Sequence, residues 1–404
     1  MSLNDTPTAE RTHIGFFGLR NAGKSSLVNR ITNQEMSLVS DIKGTTTDPV
    51  KKSMELLPLG PVTIIDTPGC DDTGSLGELR VKKTKDILKT CDIAILVTEH
   101  HTPESAENEL IDLIKSRSIP YIIVKNKCDT DNVGNKAVKS DINDQEDFSD
   151  IRVSALTGAG IEELKERIAL LTKDMIKSVR LVADLLHPHD TVVLVIPIDT
   201  SAPKGRLILP QQQVIRDILD AGAVSMVTGV NDLPDTLVSL KKEPALVITD
   251  SQAFGRVMKM VPETIPITSF SILMARYKGF LKEALKGAET IGRLEDGANI
   301  LICEGCTHHR QCEDIGTVKL PKWLKEYTGR ELKLSFTSGH GFPEDLSPYD
   351  LIIHCGACML NDREVSSRMS EAQAASVPFT NYGTAIAFMN GILSRSVAPL
   401  LPFL

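Results

Sequence analysis

Residues 18–25, GLRNAGKS, match G-x-x-x-x-G-K-[ST] and sit between an apolar run and the helix-like SSLVNRIT, the setting a phosphate-binding loop requires. Such a loop lets the backbone of Asn21, Ala22, Gly23, Lys24, Ser25 and Ser26 curl around a phosphate. Lys24 then reaches the β- and γ-oxygens and Ser25 can ligate Mg2+. The companion parts follow in order. GTTT (44–47) offers Thr46, or second Thr45, to complete the metal shell. DTPG (66–69) follows VTII and supplies Asp66 to organise the Mg2+, with Gly69 closing the motif. NKCD (126–129) contributes Asn126, Lys127 and Asp129, and SAL (154–156) places Ser154 and Ala155 beside the base. The Asp129 carboxylate can accept from N1–H and N2–H of guanine, a donor pair that adenine does not present. The chemistry implied is binding of GTP and Mg2+, with Lys24 and Thr46 acting on the transferring phosphoryl group.

A second set of residues lies far down the chain. EGCTHHRQCED (304–314) holds Cys306 and His308 as C-x-H, and HCGAC (354–358) holds His354, Cys355 and Cys358 as H-C-x-x-C, with 45 residues between. Each set follows an apolar run, ANILICEG and YDLIIHCG, that reads as a buried strand of a parallel sheet. Ligands gather outside the carboxyl ends of such strands, so two adjacent strands would deliver both sets to one point. Zinc would take Cys306, Cys355, Cys358 and one histidine. A 4Fe–4S cluster would take the three thiolates and leave its fourth iron to an exchangeable ligand. Buried cysteines without metal are the third reading. Cys303 and Cys312 are extra thiols nearby, but Cys306 alone has the C-x-H spacing. Cys70, Cys91 and Cys128 stand singly and read as small packing residues.

The elements that must position these residues alternate strand-like and helix-like runs along the whole chain. At 404 residues there is room for two to three domains. The expected fold class is α/β: an N-terminal P-loop domain followed by two further α/β units with mainly parallel sheets, bounded at 1–178, 179–268 and 269–404. No internal repeat or low-complexity tract stands out. A net charge of −8 argues against a broad nucleic-acid surface. No apolar run reaches the roughly 18–20 residues that span a bilayer. MSLNDTPTAERTH lacks the basic start and apolar core of a signal peptide. The expectation is a cytoplasmic protein without nucleic-acid or membrane partners, whose clustered cysteines serve a metal rather than disulfides.

About 165 N-terminal residues resemble the translation-factor-like GTPases, specifically the TrmE and Era branch. That resemblance implies that Asn21, three residues before Lys24, helps bind K+. It also implies that Glu78, twelve positions beyond Asp66, positions the attacking water. Joined to C-T-H and H-C-G-A-C, the whole chain resembles the HydF family of FeFe-hydrogenase maturation factors. The resemblance implies a 4Fe–4S cluster on Cys306, Cys355 and Cys358, with Glu313, His308 or His354 as candidates for the fourth site. It further implies a scaffold that carries the two-iron subcluster precursor. Radical-SAM maturases of the same pathway would build that fragment, and apo FeFe-hydrogenase would receive it. The unit 179–268 would then be a dimerisation domain, 269–404 the cluster domain, and the protein a homodimer or higher oligomer. The competing expectation is an RNA- or ribosome-acting GTPase with a structural zinc.

Overall fold

The computed structural model of the protein describes residues 6–33, 49–69, 75–99, 105–129, 151–173, 179–198, 207–306 and 314–403. The chain forms two compact units, Met1–Ile176 and Lys177–Leu404.

In the first unit β1 (Thr12–Phe17), α1 (Lys24–Thr32), β2 (Val50–Leu56), β3 (Gly60–Asp66), α2 (Ser75–Leu88) and β4 (Ile93–Thr98) are followed by α3 (Ser105–Ser116), β5 (Tyr121–Lys125), β6 (Ile151–Arg152) and α4 (Ile161–Lys173). The sheet runs β2-β3-β1-β4-β5-β6, parallel except for β2. Every residue of β4, IAILVT, is buried, as a parallel strand covered on both faces demands. Neighbouring side chains feed opposite cores: Phe16, Ile64 and Ile95 pack with α1 and α4, while Phe17, Ile65 and Leu96 pack with α2 and α3.

The second unit holds two all-parallel four-stranded sheets. The leading one is built from β7 (Thr191–Val195), α5 (Leu209–Asp220), β8 (Val224–Thr228), α6 (Leu233–Ser239), β9 (Leu246–Thr249), α7 (Phe254–Met260), β10 (Ile267–Ser269) and α8 (Phe270–Tyr277). After α9 (Leu281–Thr290) the trailing one follows, with β11 (Asn299–Glu304), α10 (Leu320–Thr328), β12 (Lys333–Ser338), β13 (Leu351–His354), α11 (Asp362–Ala374), β14 (Phe379–Asn381), α12 (Tyr382–Met389) and α13 (Leu393–Val397). The stretch 271–291 is not one helix, because Gly279 ends α8 in the left-handed region at φ 82°.

Both sheets have the same winding. Their orders, β10-β9-β7-β8 and β12-β11-β13-β14, each place the first strand between the second and third, with the fourth outside. Registers match as well: Val195 faces Thr249 where Cys303 faces His354. IPITSFSILMARYKGFL (265–281) and VPFTNYGTAIAFMNGIL (377–393) share Pro, Thr, Ala, Gly and Leu at equivalent positions. The second unit is therefore a tandem structural repeat, contrary to the expectation of none. Five shared residues in a buried strand–helix pair are too few to stand out before the strand order is known.

The two copies exchange helices. α9 packs on β14 of the trailing copy and α13 packs on β10 of the leading one. A Cβ on Gly287 would lie 2.2 Å from the Phe379 carbonyl oxygen, so glycine is what lets α9 approach that closely. α8 and α12 cross at the equivalent residues Ser271 and Gly383, where the Gly383 amide donates to Ser271 Oγ at 3.2 Å. One continuous apolar core joins both sheets. Among the described residues, no helix is long and apolar enough to cross a membrane.

Candidate functional site

The first site gathers at the carboxyl ends of β1, β3, β4 and β5, where a parallel sheet presents its loops. β1 pairs with β3 so that Phe16 faces Asp66, which brings the loop after β1 beside DTPG. Lys24 is buried, and its ammonium donates back to the carbonyls of Gly18 at 3.1 Å and Leu19 at 2.6 Å. Asn21 and Gly23 take left-handed backbone, φ 63° and 84°, which shapes the loop. Ser25 Oγ donates to Asp66, joining the two groups expected to share a Mg2+ ion. Ala22 is buried and Ser26 is exposed on α1. A Cβ on Gly69 would lie 2.8 Å from the Arg20 backbone, so DTPG rests directly on the phosphate loop.

The base-reading residues are tied to that loop. Asn126 is buried, donates to the Ala22 carbonyl at 3.0 Å and accepts from the Ala155 amide at 3.1 Å. Buried Ser154 donates to Asp129, whose carboxylate stands exposed beside it. Lys127 pairs with Glu99. These contacts hold the NKCD and SAL segments against the phosphate loop before a nucleotide arrives, which lowers the ordering cost of binding. Thr45 and Thr46 lie outside the described residues, and the Glu78 side chain, on α2, does too.

The second site is made by β11 and β13, which pair in parallel with Cys303 facing His354. The Cys355 amide donates to the Cys303 carbonyl at 2.8 Å, so the chain leaves both strands at the same level. Cys306 lies just beyond β11, and Cys355 and Cys358 just beyond β13. Two amides, Gly305 at 3.1 Å and Ala357 at 3.4 Å, donate to the Cys355 sulfur. Ala357 is buried and carries a left-handed φ of 56°, a strain of order 1–3 kcal/mol that tends to concentrate at functional positions.

All three thiols are shifted above the ordinary thiol range. Burial raises Cys306, and the neighbouring Cys355 and Cys358 raise it further. Cys358 is pushed up to about 12 by burial and then by Cys355, against which Lys278 acts. Burial raises Cys355 too, opposed by its two amide donors. Three mutually repelling buried thiols can become thiolates together only if positive charge is brought among them, as bound iron or zinc would do.

His354 departs from the expectation. It is fully buried, its Nδ1 bonds the Cys355 carbonyl at 2.9 Å, and Arg368 Nη1 donates to Nε2 at 3.0 Å. Burial, followed by Arg368, lowers its pKa to about 4. Both ring nitrogens are thus committed within the protein, which leaves the imidazole no lone pair for a metal in this arrangement. Arg368 also bonds Glu364 and the Gly339 carbonyl, each at 2.6 Å. His308, Cys312 and Glu313 lie outside the described residues.

Two carboxylates that the sequence reading left unassigned flank the thiols. Glu304 is buried at the end of β11, accepts from Tyr382 Oη at 3.3 Å, and adds to the charge that raises Cys306. Asp314 is buried and caps the turn 315–319, accepting from the Thr317 amide and hydroxyl at 2.8 Å. A charged residue closing an otherwise apolar strand was the available signal for Glu304.

Family models match three stretches: the hydrogen maturase F dimerization domain over 181–279, the hydrogen maturase F tetramerization domain over 282–399, and the 50S ribosome-binding GTPase over 13–127. The tRNA modification GTPase MnmE of Thermosipho melanesiensis is 33% identical over 162 residues, covering 40% of this chain and 34% of its own length. GTPase Der of Wolinella succinogenes is 34% identical over 174 residues, covering 41% and 36% respectively. The chain thus spans about a third of the length of the curated relatives it matches. Era of Aquifex aeolicus bound to GDP·AlF4− aligns at 20% identity and TM-score 0.33, over 54% of this chain and 92% of that one. The G domain of the T. maritima FeoB iron transporter aligns at 21% identity and TM-score 0.29, over 40% and 99%.

The phosphate loop, the Ser25–Asp66 pair and the Asp129 pocket on this sheet define a P-loop GTPase domain joined to a second α/β unit. The two maturase domains in tandem cover more than half of the remaining sequence and of the whole, and the chain belongs to the HydF family of hydrogen maturases.

Two outcomes follow from the geometry. Asp129→Asn should shift nucleotide preference from GTP toward XTP, because xanthine presents an acceptor where guanine has its amino donor; unchanged selectivity would remove Asp129 from the base site. In the metal-free protein, alkylation of Cys355 and Cys358 at pH 8 should be about tenfold or more slower than in denaturant. The sign follows from raised pKa values: the thiolate fraction, and with it the rate, should keep climbing past pH 9, where ordinary thiols level off. A plateau near pH 9 would contradict the burial argument.

Proposed function

We propose that this protein is an FeFe-hydrogenase maturation factor: a GTP-hydrolysing scaffold that holds a 4Fe–4S cluster and delivers the two-iron subcluster precursor to apo-hydrogenase. The observation that carries the proposal is the convergence of Cys306, Cys355 and Cys358 at the ends of two paired strands inside the hydrogen maturase domains. Three part-buried thiols at the ends of paired strands would suit a cluster that keeps one iron for an exchangeable ligand, and that iron would supply the docking point for a second metal fragment. Gly305 and Ala357 aim their amides at the Cys355 sulfur, which favours its thiolate form. With His354 committed to Arg368, the fourth site falls to Glu313, His308, a nearby carboxylate or solvent.

On the nucleotide side, Lys24 exchanges its bonds to the Gly18 and Leu19 carbonyls for phosphate oxygens, and Ser25 with Asp66 holds Mg2+. Thr46, with Thr45 second, completes that shell. Asn21 contributes to a K+ site whose charge sits opposite that developing on the phosphoryl group, and Glu78 orients the water. GTP turnover acts as a switch on partner binding, of the order–disorder kind common in GTPases. The partners are apo FeFe-hydrogenase and radical-SAM maturases, and the protein works as a homo-oligomer in the cytoplasm.

After anaerobic reconstitution, the reduced wild type should give a 4Fe–4S EPR signal, and single Ala replacements of Cys306, Cys355 or Cys358 should abolish it while GTP hydrolysis continues. A wild type that takes up only zinc would overturn the scaffold reading. Hydrolysis should be faster in KCl than in NaCl at matched ionic strength, and Asn21→Ala should erase the difference; a wild type indifferent to the cation removes the K+ mechanism.

A further inference from the structure

Lys278 ends α8 in the stretch matched by the dimerization domain, yet it belongs physically to the cysteine corner of the other copy. Its side chain is 3% exposed. The ammonium donates to the Leu360 carbonyl at 2.8 Å and pairs with Asp362 at 2.8 Å, so it closes the turn that begins at Cys355 and passes through Cys358. The other charges around this corner are Glu304 from β11, Asp362, Glu364 and Arg368 from α11, and Asp314 beyond β11. Arg368 is engaged by Glu364, His354 and Gly339, while Lys278 is held by the Leu360 carbonyl and Asp362, which places it on the residues that follow Cys358.

The repeat explains why a residue of one copy arrives there. In IPITSFSILMARYKGFL and VPFTNYGTAIAFMNGIL, Lys278 and Asn390 are equivalent, each just before the glycine that ends its helix. Asn390 makes the mirror-image approach: a Cβ on Gly255, in the segment after β9, would lie 2.9 Å from Asn390 Oδ1. The crossing of α8 and α12 therefore sends this position into the chain that follows the third strand of the opposite copy on both sides, the turn before α11 for Lys278 and the start of α7 for Asn390. The reach is a property of the repeat. The positive charge is found only on the side that carries cysteines.

We propose that Lys278 is a positioning residue for the iron–sulfur site, clamping the 355–360 turn from the dimerization half and supplying the fixed positive charge that faces its Cys358 corner. The proposal rests on the cluster reading above. A fixed cation stabilises the more negative, reduced state of a cluster, so it raises the reduction potential. It also places the cysteine site under the control of how firmly the two copies are docked, since the clamp spans their boundary.

The test compares wild type, Lys278→Gln, Lys278→Met and Lys278→Arg after anaerobic iron–sulfide reconstitution, with GTP hydrolysis and elution volume as folding controls. Lys278→Gln keeps a donor for the Leu360 carbonyl but loses the charge, so its cluster should form with a midpoint potential more negative than wild type. Lys278→Arg should return the potential toward the wild-type value. Lys278→Met, lacking donor and charge, should also lose iron to a chelator on the order of tenfold faster. Potentials unchanged in both Gln and Met variants would overturn the proposal and leave the cluster reading intact. A wild type that forms no cluster would overturn the cluster reading itself, and this proposal with it.

Discussion

The parallel pairing of β11 with β13 is the constraint on which the second unit depends. It places Cys303 opposite His354 and lets the next residues of each strand leave together, so Cys306 and Cys355, from distant parts of the chain, follow the ends of neighbouring strands. A one-residue slip would break the pairing of Cys303 with His354 and separate Cys355 from Gly305. The register is held by burial of both strands on both faces, and burial also keeps the thiols neutral. One physical fact, a fully covered strand pair, thus fixes the geometry of the site and sets its electrostatic demand for a cation.

The helix exchange gives that pair its surroundings. α9 closes over β14 with Thr380 donating to the Ala284 carbonyl at 2.7 Å, and α13 anchors on the leading copy through Arg395 and the Pro262 carbonyl at 2.6 Å. Each copy's fourth strand is covered in part by a helix of the other copy, and the two share one core. The cysteine corner and the half matched by the dimerization domain consequently stand on one continuous apolar core.

The nucleotide site follows a different logic. Its parts are short motifs at the ends of separate strands that share one apolar core, tied further by Asn126 to Ala22 and Ala155 and by Ser154 to Asp129. Such a site is assembled by hydrogen bonds among loops that stand on the sheet.

The amino-acid sequence by itself determined the chemistry at each end of the chain. GLRNAGKS, DTPG, NKCD and SAL each specify a contact whose residue type is dictated by phosphate, Mg2+ or guanine, so they are legible without coordinates. The apolar runs before Cys306 and Cys355 were enough to place those thiols at strand ends, because a buried parallel strand has a recognisable pattern. Three features were decided only by tertiary structure. The tandem repeat emerges from strand order, since covered sheets tolerate almost any apolar residue and erase their own sequence similarity. His354 has the right spacing for a ligand, but Arg368, fourteen residues on and one helix away, takes its free nitrogen. Lys278 carries no motif at all; only the crossing of two helices brings its ammonium to a turn 82 residues later in the chain, and a contact made by that crossing has no local trace in the sequence.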